Sequence, residues 1–388
     1  MAAAMAFPVR RAIAEVPSSK IREVATLGMG MEGIIPLWFG EPNVPTPAFI
    51  NQAAIRALNE GKTFYTLNRG IPELRQALAD YMTRLHGRPI ALDRVTVTAS
   101  AMNAIMIVAQ SLIDPGDNAV LTAPLWPNIA SCVNVMGGEA RQVPLDEREG
   151  RWSLDLDRLF AAVDARTRFI FVNSPSNPTG WMMSAADQRA VLAFARSRGL
   201  WIVADEVYDR IVFDRPHAPS FLDIAEPDDL VIRLNSFSKS WCMTGWRLGW
   251  IAAPPAFGPI LEKMNEFNIA NAASMAQYAG IVALTDGEAF IRETVTRYER
   301  ARDLVFQRLA AMPRVTIARP DAAFYVFFGV DGMDDSLAFA KRLLTDARVG
   351  LAPGAAFGPK GEGHLRLCYA VTLETLSEAM DRIAPALK

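Results

Sequence analysis

NSFSKSWCMTGWRLGW occupies residues 235–250 and follows an apolar, strand-like run, DLVIRL (229–234). It sets Lys239 among small hydroxyl residues and Arg247 between Trp246 and Leu248. A lone cation is ordinarily a solvated surface residue. Two in one apolar stretch, each framed by Ser, Thr or Gly, need another reason. TGW (244–246) reads as a tight turn, and RLGWIAAPP (247–255) as a strand folding back antiparallel on its predecessor. Lys239 then lies just past the C-terminal end of a strand.

Working outward, short apolar runs alternate with helical patterns. VTVTAS (95–100), DNAVLTAP (117–124), EARQVPL (139–145), FIFVNSP (169–175) and LWIVADE (200–206) read as strands. MNAIMIVAQSLI (102–113) and SAADQRAVLAFARSRG (184–199) read as helices between them. This predicts an α/β protein with a mostly parallel, seven-stranded-type sheet flanked by helices. A long amphipathic helix begins near 287, and short strands with two helices follow Pro313, predicting a smaller α+β domain. The Pro-rich EPNVPTP (41–47) marks a boundary. The expected domains are 48–286, and 1–47 with 287–388. The charged run around 148–151 reads as a solvated hairpin.

Each strand candidate ends in a polar or aromatic residue: Ser100, Trp126, Asn177, Asp205 with Tyr208, and Lys239. In a parallel sheet those ends share one edge, where ligands bind. Singly, each has an ordinary explanation as a cap, turn or core residue. Together they describe a cleft containing a hydroxyl, an indole, an amide, a carboxylate, a phenol and an amine.

The bulk numbers narrow the classes. The chain has 388 residues, 51% hydrophobic and 21% charged, with a formal net charge of −2. No basic excess exists to bind nucleic acid or anionic membrane. No apolar run is long enough to span a bilayer. Three widely spaced cysteines without CxxC fit a reducing cytoplasm rather than a disulfide or zinc framework. His86, His217 and His364 look too scattered to ligate a metal, so no metal is expected. GMGMEG (28–33) matches GxGxxG in letters, but no strand precedes it and Pro36 blocks a following helix.

A lysine forms Schiff bases best when its amine is partly desolvated or near other cations. Pyridoxal 5′-phosphate requires such a lysine, a carboxylate for its ring nitrogen, and donors for its phosphate. Lys239 and Asp205 suit the first two roles. The helix start at Ser100-Ala101-Met102, with Ser236, Ser238 and Arg247, suits the third. Trp126 suits the ring face.

The lysine stretch resembles the signature of the class I/II aminotransferases, fold-type I pyridoxal-phosphate enzymes. NSPSNPTG (173–180), VADEVYDR (203–210), FYTLNRGIPELRQAL (64–78) and FGEPNVPTP (39–47) resemble the same family. The resemblance runs from about Leu37 to Tyr369. It implies Lys239 as Schiff-base lysine and proton shuttle, Asp205 on the pyridine nitrogen, and Tyr208 and Asn177 on the phenolic oxygen. Ser100, Ala101, Met102, Ser236, Ser238 and Arg247 would hold the phosphate, with Trp126 stacked on the ring. Tyr65 resembles a tyrosine that reaches the phosphate in a partner subunit, implying a homodimer with shared active sites. Arg366, in HLRLCY, resembles the clamp on a substrate α-carboxylate, helped by Asn177 and the Gly40 backbone.

The implied reaction moves an amino group from an L-amino acid to a 2-oxo acid such as 2-oxoglutarate. A cysteine-conjugate β-lyase would use the same residues. A non-enzymatic effector-binding domain would need an N-terminal helix-turn-helix module, for which the residues before Leu37 lack length and basic charge. Met102 stands where some relatives carry a basic residue for a distal carboxylate, which favours neutral, aromatic or mixed substrates. Against that, WPN (126–128) resembles aspartate and aromatic enzymes, and Lys263 is a candidate to reach a side-chain carboxylate from the partner subunit. AAFY (322–325) stands where GAFY is usual.

Overall fold

The computed structural model describes residues 8–388; the part of the expected small domain in residues 1–7 lies outside them. Seven strands form the central sheet: β1 (Val95–Thr98), β2 (Asn118–Ala123), β3 (Glu139–Pro144), β4 (Thr167–Asn173), β5 (Trp201–Asp205), β6 (Val231–Ser236) and β7 (Gly249–Ala252). Their order is β1-β7-β6-β5-β4-β2-β3. Only β7 runs against its neighbours, β1 and β6; the other pairs are parallel. β1, β2 and β6 are buried at every position. Sheet strands covered on both faces read as continuous apolar runs, which is why they stand out in the sequence.

The flanking helices carry ordinary start and stop chemistry. These include α1 (Lys20–Gly28), α2 (Pro72–His86), α3 (Ala101–Leu112), α4 (Ala185–Arg198), α5 (Glu288–Ala310), α6 (Ser336–Ala347) and α7 (Leu373–Ile383). At the start of α4 the Ser184 hydroxyl accepts from Asp187 N, and Gly199 ends it at φ +62°. No helix among the described residues is long and apolar enough to cross a membrane.

A second, antiparallel sheet follows α5: β8 (Val315–Ile317), β9 (Tyr325–Val330), β10 (Ala352–Pro353) and β11 (His364–Cys368), in the order β8-β9-β11-β10. The N-terminal segment joins this part of the molecule. Ile35–Pro36 pairs in parallel with Val349–Gly350, and Glu23 of α1 forms an ion pair with Lys341 of α6. The hairpin at 146–153 forms as expected, but it is not wholly solvated: Trp152 is buried and lies against Phe327 of β9.

Candidate active site

The C-terminal ends of β4, β5 and β6 open into a cavity of about 460 Å³. Residues 38–40, with Tyr325 of β9 and Arg366 of β11, form its opposite wall. Lys239 belongs to a short helical turn, Phe237–Ser240, that begins where β6 ends. Its Nζ donates to the Gly40 carbonyl at 2.6 Å and lies 5.7 Å from the centre of the Tyr208 ring. Burial pushes the amine down to about 8, and Arg366 and Arg247 push the same way. Gly40 cannot be replaced quietly, because a Cβ there would overlap the Tyr325 hydroxyl.

Asp205 ends β5 and is buried. Burial raises its carboxyl to about 7, against the opposing effects of the Val207 N–H and Lys239. Parallel register puts Asn173 beside Asp205, and Asp205 beside Leu234 of the strand that leads to Lys239. A carboxyl and an amine thus face one cavity, each with its ionised form disfavoured.

One end of the cavity suits an anion. Ala101 and Met102 open α3 onto it, and among the described residues no acceptor takes their N–H groups. Ser236, Ser238 and Arg247 line the same cavity. The Arg247 guanidinium donates to Thr244 O at 2.7 Å from a left-handed residue, φ +50°. Ser236 Oγ accepts from Ser238 N at 3.0 Å. Ser100 departs from expectation. Its hydroxyl accepts from Asn103 N at 3.1 Å as the cap of α3, and its side chain does not line the cavity. Accepting one N–H leaves a hydroxyl its own O–H to donate, and Ser236 caps its turn in the same way, so the two serines differ in their place relative to the cavity rather than in capping.

At the other end, Arg366 is buried and donates to Asn177 Oδ1 at 2.9 Å and to the Trp38 carbonyl. Its Nε has no partner among the described residues. Trp126 lines the cavity, its backbone N–H bonded to the Asn177 carbonyl at 3.1 Å. Tyr208 shares a 2.7 Å hydrogen bond with Tyr325, and burial raises both phenols. Tyr65 lies outside the cavity of its own chain and is 91% exposed. Lys263 is also exposed and absent from the lining.

The sequence pattern of the aminotransferase class I and II family matches residues 32–383. The chain belongs to that family. It is an enzyme of amino-group transfer. It is 37% identical over 377 residues to the aspartate aminotransferase of Pyrococcus horikoshii, covering 96% of this chain and 95% of that protein. It is 36% identical over 382 residues to aromatic-amino-acid aminotransferase 2 of Thermococcus litoralis, covering 96% of each. The crystal structure of the aspartate aminotransferase from Thermotoga maritima matches it with a TM-score of 0.91 at 33% identity, covering 98% of this chain and 100% of that one.

This aminotransferase brings residues into its cavity that the sequence reading left aside. Tyr325 is the largest omission; its signal was its place in AAFY, at the start of a buried strand. Asn173, whose Oδ1 accepts from Asn177 N at 2.8 Å, was visible only as a strand terminus. Ser19, Ile21 and Arg22 come from the N-terminal segment, with no local pattern to mark them. The histidines require a correction. His86 and His217 meet edge to face with ring centres 5.3 Å apart, and His86 Nδ1 lies 2.8 Å from Asp223 Oδ1. The three residues offer ligand atoms within 4.8 Å of one another, so scatter along the chain did not keep them apart. None of them lines the aminotransferase cavity.

Proposed function

We propose that this chain exchanges amino groups between L-amino acids and 2-oxo acids, using pyridoxal 5′-phosphate held in the cavity described above. Members of the family use that cofactor, and the donor set here fits it. Unpartnered amides at the start of α3, two serine hydroxyls and Arg247 suit a phosphate; a buried carboxyl suits a ring nitrogen. When bound, the cofactor supplies an aldehyde for amine exchange and a ring that draws electrons from the substrate α-carbon.

The chain's own groups have distinct tasks in this reading. Ala101, Met102, Ser236, Ser238 and Arg247 hold the phosphate. Asp205 faces the ring nitrogen, Tyr208 and Asn177 the phenolic oxygen, and Trp126 the ring face. Lys239 is the attachment lysine. Once free, its amine would take the proton from the substrate α-carbon and pass it on rather than restore it there, as amino transfer requires. An amine near 8 divides its population between base and acid close to neutral pH, which suits it to both directions. Arg366 grips the α-carboxylate in a pocket already fixed by Asn177 and the Trp38 carbonyl. The observation that carries this reading is the placement of a half-buried Lys239 and a buried Asp205 in one cavity, each disfavouring its charge.

We also infer a homodimer, with Tyr65 of the partner subunit completing the phosphate site. Phe64, Tyr65 and Phe267 are 82%, 91% and 76% exposed in the single chain, an exposure that large apolar side chains rarely keep in a finished assembly. The division into 48–286, and 1–47 with 287–388, follows the two sheets in this reading.

The test incubates purified protein and cofactor with a panel of amino donors and 2-oxoglutarate, pyruvate or oxaloacetate. The expected result is a new amino acid formed from the acceptor. Release of ammonia without any aminated acceptor would replace transfer with elimination.

A further inference from the structure

We propose that His86 and His217 together bind a divalent transition-metal ion of the zinc type, outside the amino-transfer cavity, with Asp223 orienting His86 and supplying negative charge. The site stands independently of the transamination reading. His86 is the last residue of α2, Asp223 ends the short helical turn Phe221–Asp223, and His217 lies in the irregular stretch between β5 and that turn. The carbonyl end of a helix carries partial negative charge, which favours a cation beside His86.

Both rings are already held as metal-binding imidazoles are held. His217 Nδ1 lies 2.8 Å from the Ala218 carbonyl. A carbonyl can only accept, so Nδ1 carries the ring hydrogen and Nε2 presents a lone pair. His86 Nδ1 lies 2.8 Å from Asp223 Oδ1, and an ionised carboxylate likewise keeps the hydrogen on Nδ1. His86 Nε2 is then an acceptor. Its side chain is wholly buried, and Nε2 has no partner among the described residues. A buried acceptor without a donor is costly, and a cation on the lone pair removes that cost. Imidazoles that ligate a metal characteristically donate their other N–H to a carboxylate or a backbone carbonyl, the two acceptors found here.

The spacing of the rings fits the same reading. Two imidazoles on one tetrahedral ion, with bonds of about 2.0–2.1 Å and each ring centre roughly 1.1 Å behind its nitrogen, have centres about 5.2 Å apart. The His86 and His217 centres are 5.3 Å apart. Asp223 brings a carboxylate oxygen within 4.8 Å of both ligating side chains, close enough to balance the ion's charge. Its other oxygen is fixed by Ser220 N at 2.9 Å. Arg88 does not compete for that carboxylate: it donates to the Asp223 carbonyl at 3.2 Å and pairs with Glu226 at 3.0 Å. His217 and Asp223 are partly exposed, which gives an ion a route from solvent and lets water complete its coordination. Imidazole nitrogen favours zinc, cobalt, nickel or copper over magnesium and calcium, which prefer oxygen. The bound ion clips together segments 137 residues apart in the chain.

The experiment titrates chelator-treated full-length protein with zinc chloride by calorimetry, with and without added pyridoxal 5′-phosphate, and with magnesium chloride as the hard-cation control. Wild type should take up one zinc per subunit at an affinity that the cofactor does not change, and magnesium should not bind there. His217→Ala should lower the zinc affinity by more than about 100-fold, and Asp223→Asn by about 10–100-fold. His217→Gln, closer in size, should repeat the loss if alanine disturbs the loop, and thermal melting in chelator checks that each variant folds. X-ray absorption at the zinc edge should show two imidazoles on the ion in wild type. Failure of wild type to bind zinc, or the same affinity in both His217 variants, would overturn the site. Zinc that binds only with the cofactor present would also overturn it, by placing the ion on the phosphate. Unchanged affinity in Asp223→Asn would remove Asp223 from the site.

Discussion

Asp205 and Glu206 are neighbours in the chain but lead opposite lives. Asp205 faces the cavity with a single N–H contact, from Val207 at 3.4 Å, and burial raises it to about 7. Glu206 turns away, accepting from Arg233 Nε at 2.8 Å, Ser220 Oγ at 2.6 Å and Phe221 N at 3.1 Å. Arg233 is fully buried and also pairs with Asp209. Alternation of side chains near a strand end sends successive residues to opposite sides. One side carries charge with few partners, ready for a ligand; the other carries charge that its neighbours already satisfy. Poorly satisfied buried charge marks chemistry, and fully satisfied buried charge marks architecture.

The contrast breaks most visibly at Lys239. Lys239→Ala should lower amino transfer by about 10⁴-fold or more, without lowering the melting temperature, because a half-buried amine of depressed basicity adds little to folding. A variant that keeps near-wild-type turnover would remove Lys239 from the chemistry. Next comes Asp205→Asn, expected to slow transfer by about 10²–10⁴-fold. Its stability effect has a definite sign. A carboxyl raised from 3.8 to about 7 in the folded state is destabilising once pH exceeds 3.8, progressively up to 7. In the cofactor-free protein the Asn variant should therefore match wild type near pH 4. Above pH 7 it should be more stable, by up to about 4 kcal/mol. Denaturant titrations at the two pH values check this, and equal differences at both would mean that Asp205 ionises as freely as a surface carboxyl.

Arg233→Met tests the other side of the strand. It strands Glu206 and Asp209 without their cation and should cost about 3–5 kcal/mol of stability, measured by denaturant unfolding. The activity of the folded fraction should fall less than for Asp205→Asn; a larger fall would join the two clusters into one catalytic unit. The smallest effect is expected from Tyr325→Phe. Loss of its 2.7 Å bond to Tyr208 should cost about 0.5–1.5 kcal/mol, read as roughly tenfold or less in kcat/KM.

Much of this was legible in one dimension. The buried strands are runs of β-branched and aromatic residues, and the polar residues at their ends line one edge, as parallel topology requires. Lys239, Asp205 and Asn177 fall into the expected cavity for that reason, whereas Arg366 reaches it from the antiparallel second sheet. Ser100 caps α3 by accepting from Asn103 N and is not on the cavity lining, a placement set by local geometry that the sequence does not reveal. Tyr325 was obscured for a different reason: on a buried strand a tyrosine reads as core until its hydroxyl is seen to meet Tyr208. His86 and His217 looked unrelated because the residues between them form whole strands and helices that return the chain to the same place.

The sequence by itself determined the α/β architecture and the family's chemistry, because both rest on local periodicity and on residue types at strand ends. Tertiary structure alone decided which charges remain uncompensated. That property depends on every neighbour a side chain acquires, and it separates Asp205 from Glu206. Electrostatic satisfaction is a sum over contacts made by distant parts of the chain, and no stretch of sequence contains that sum.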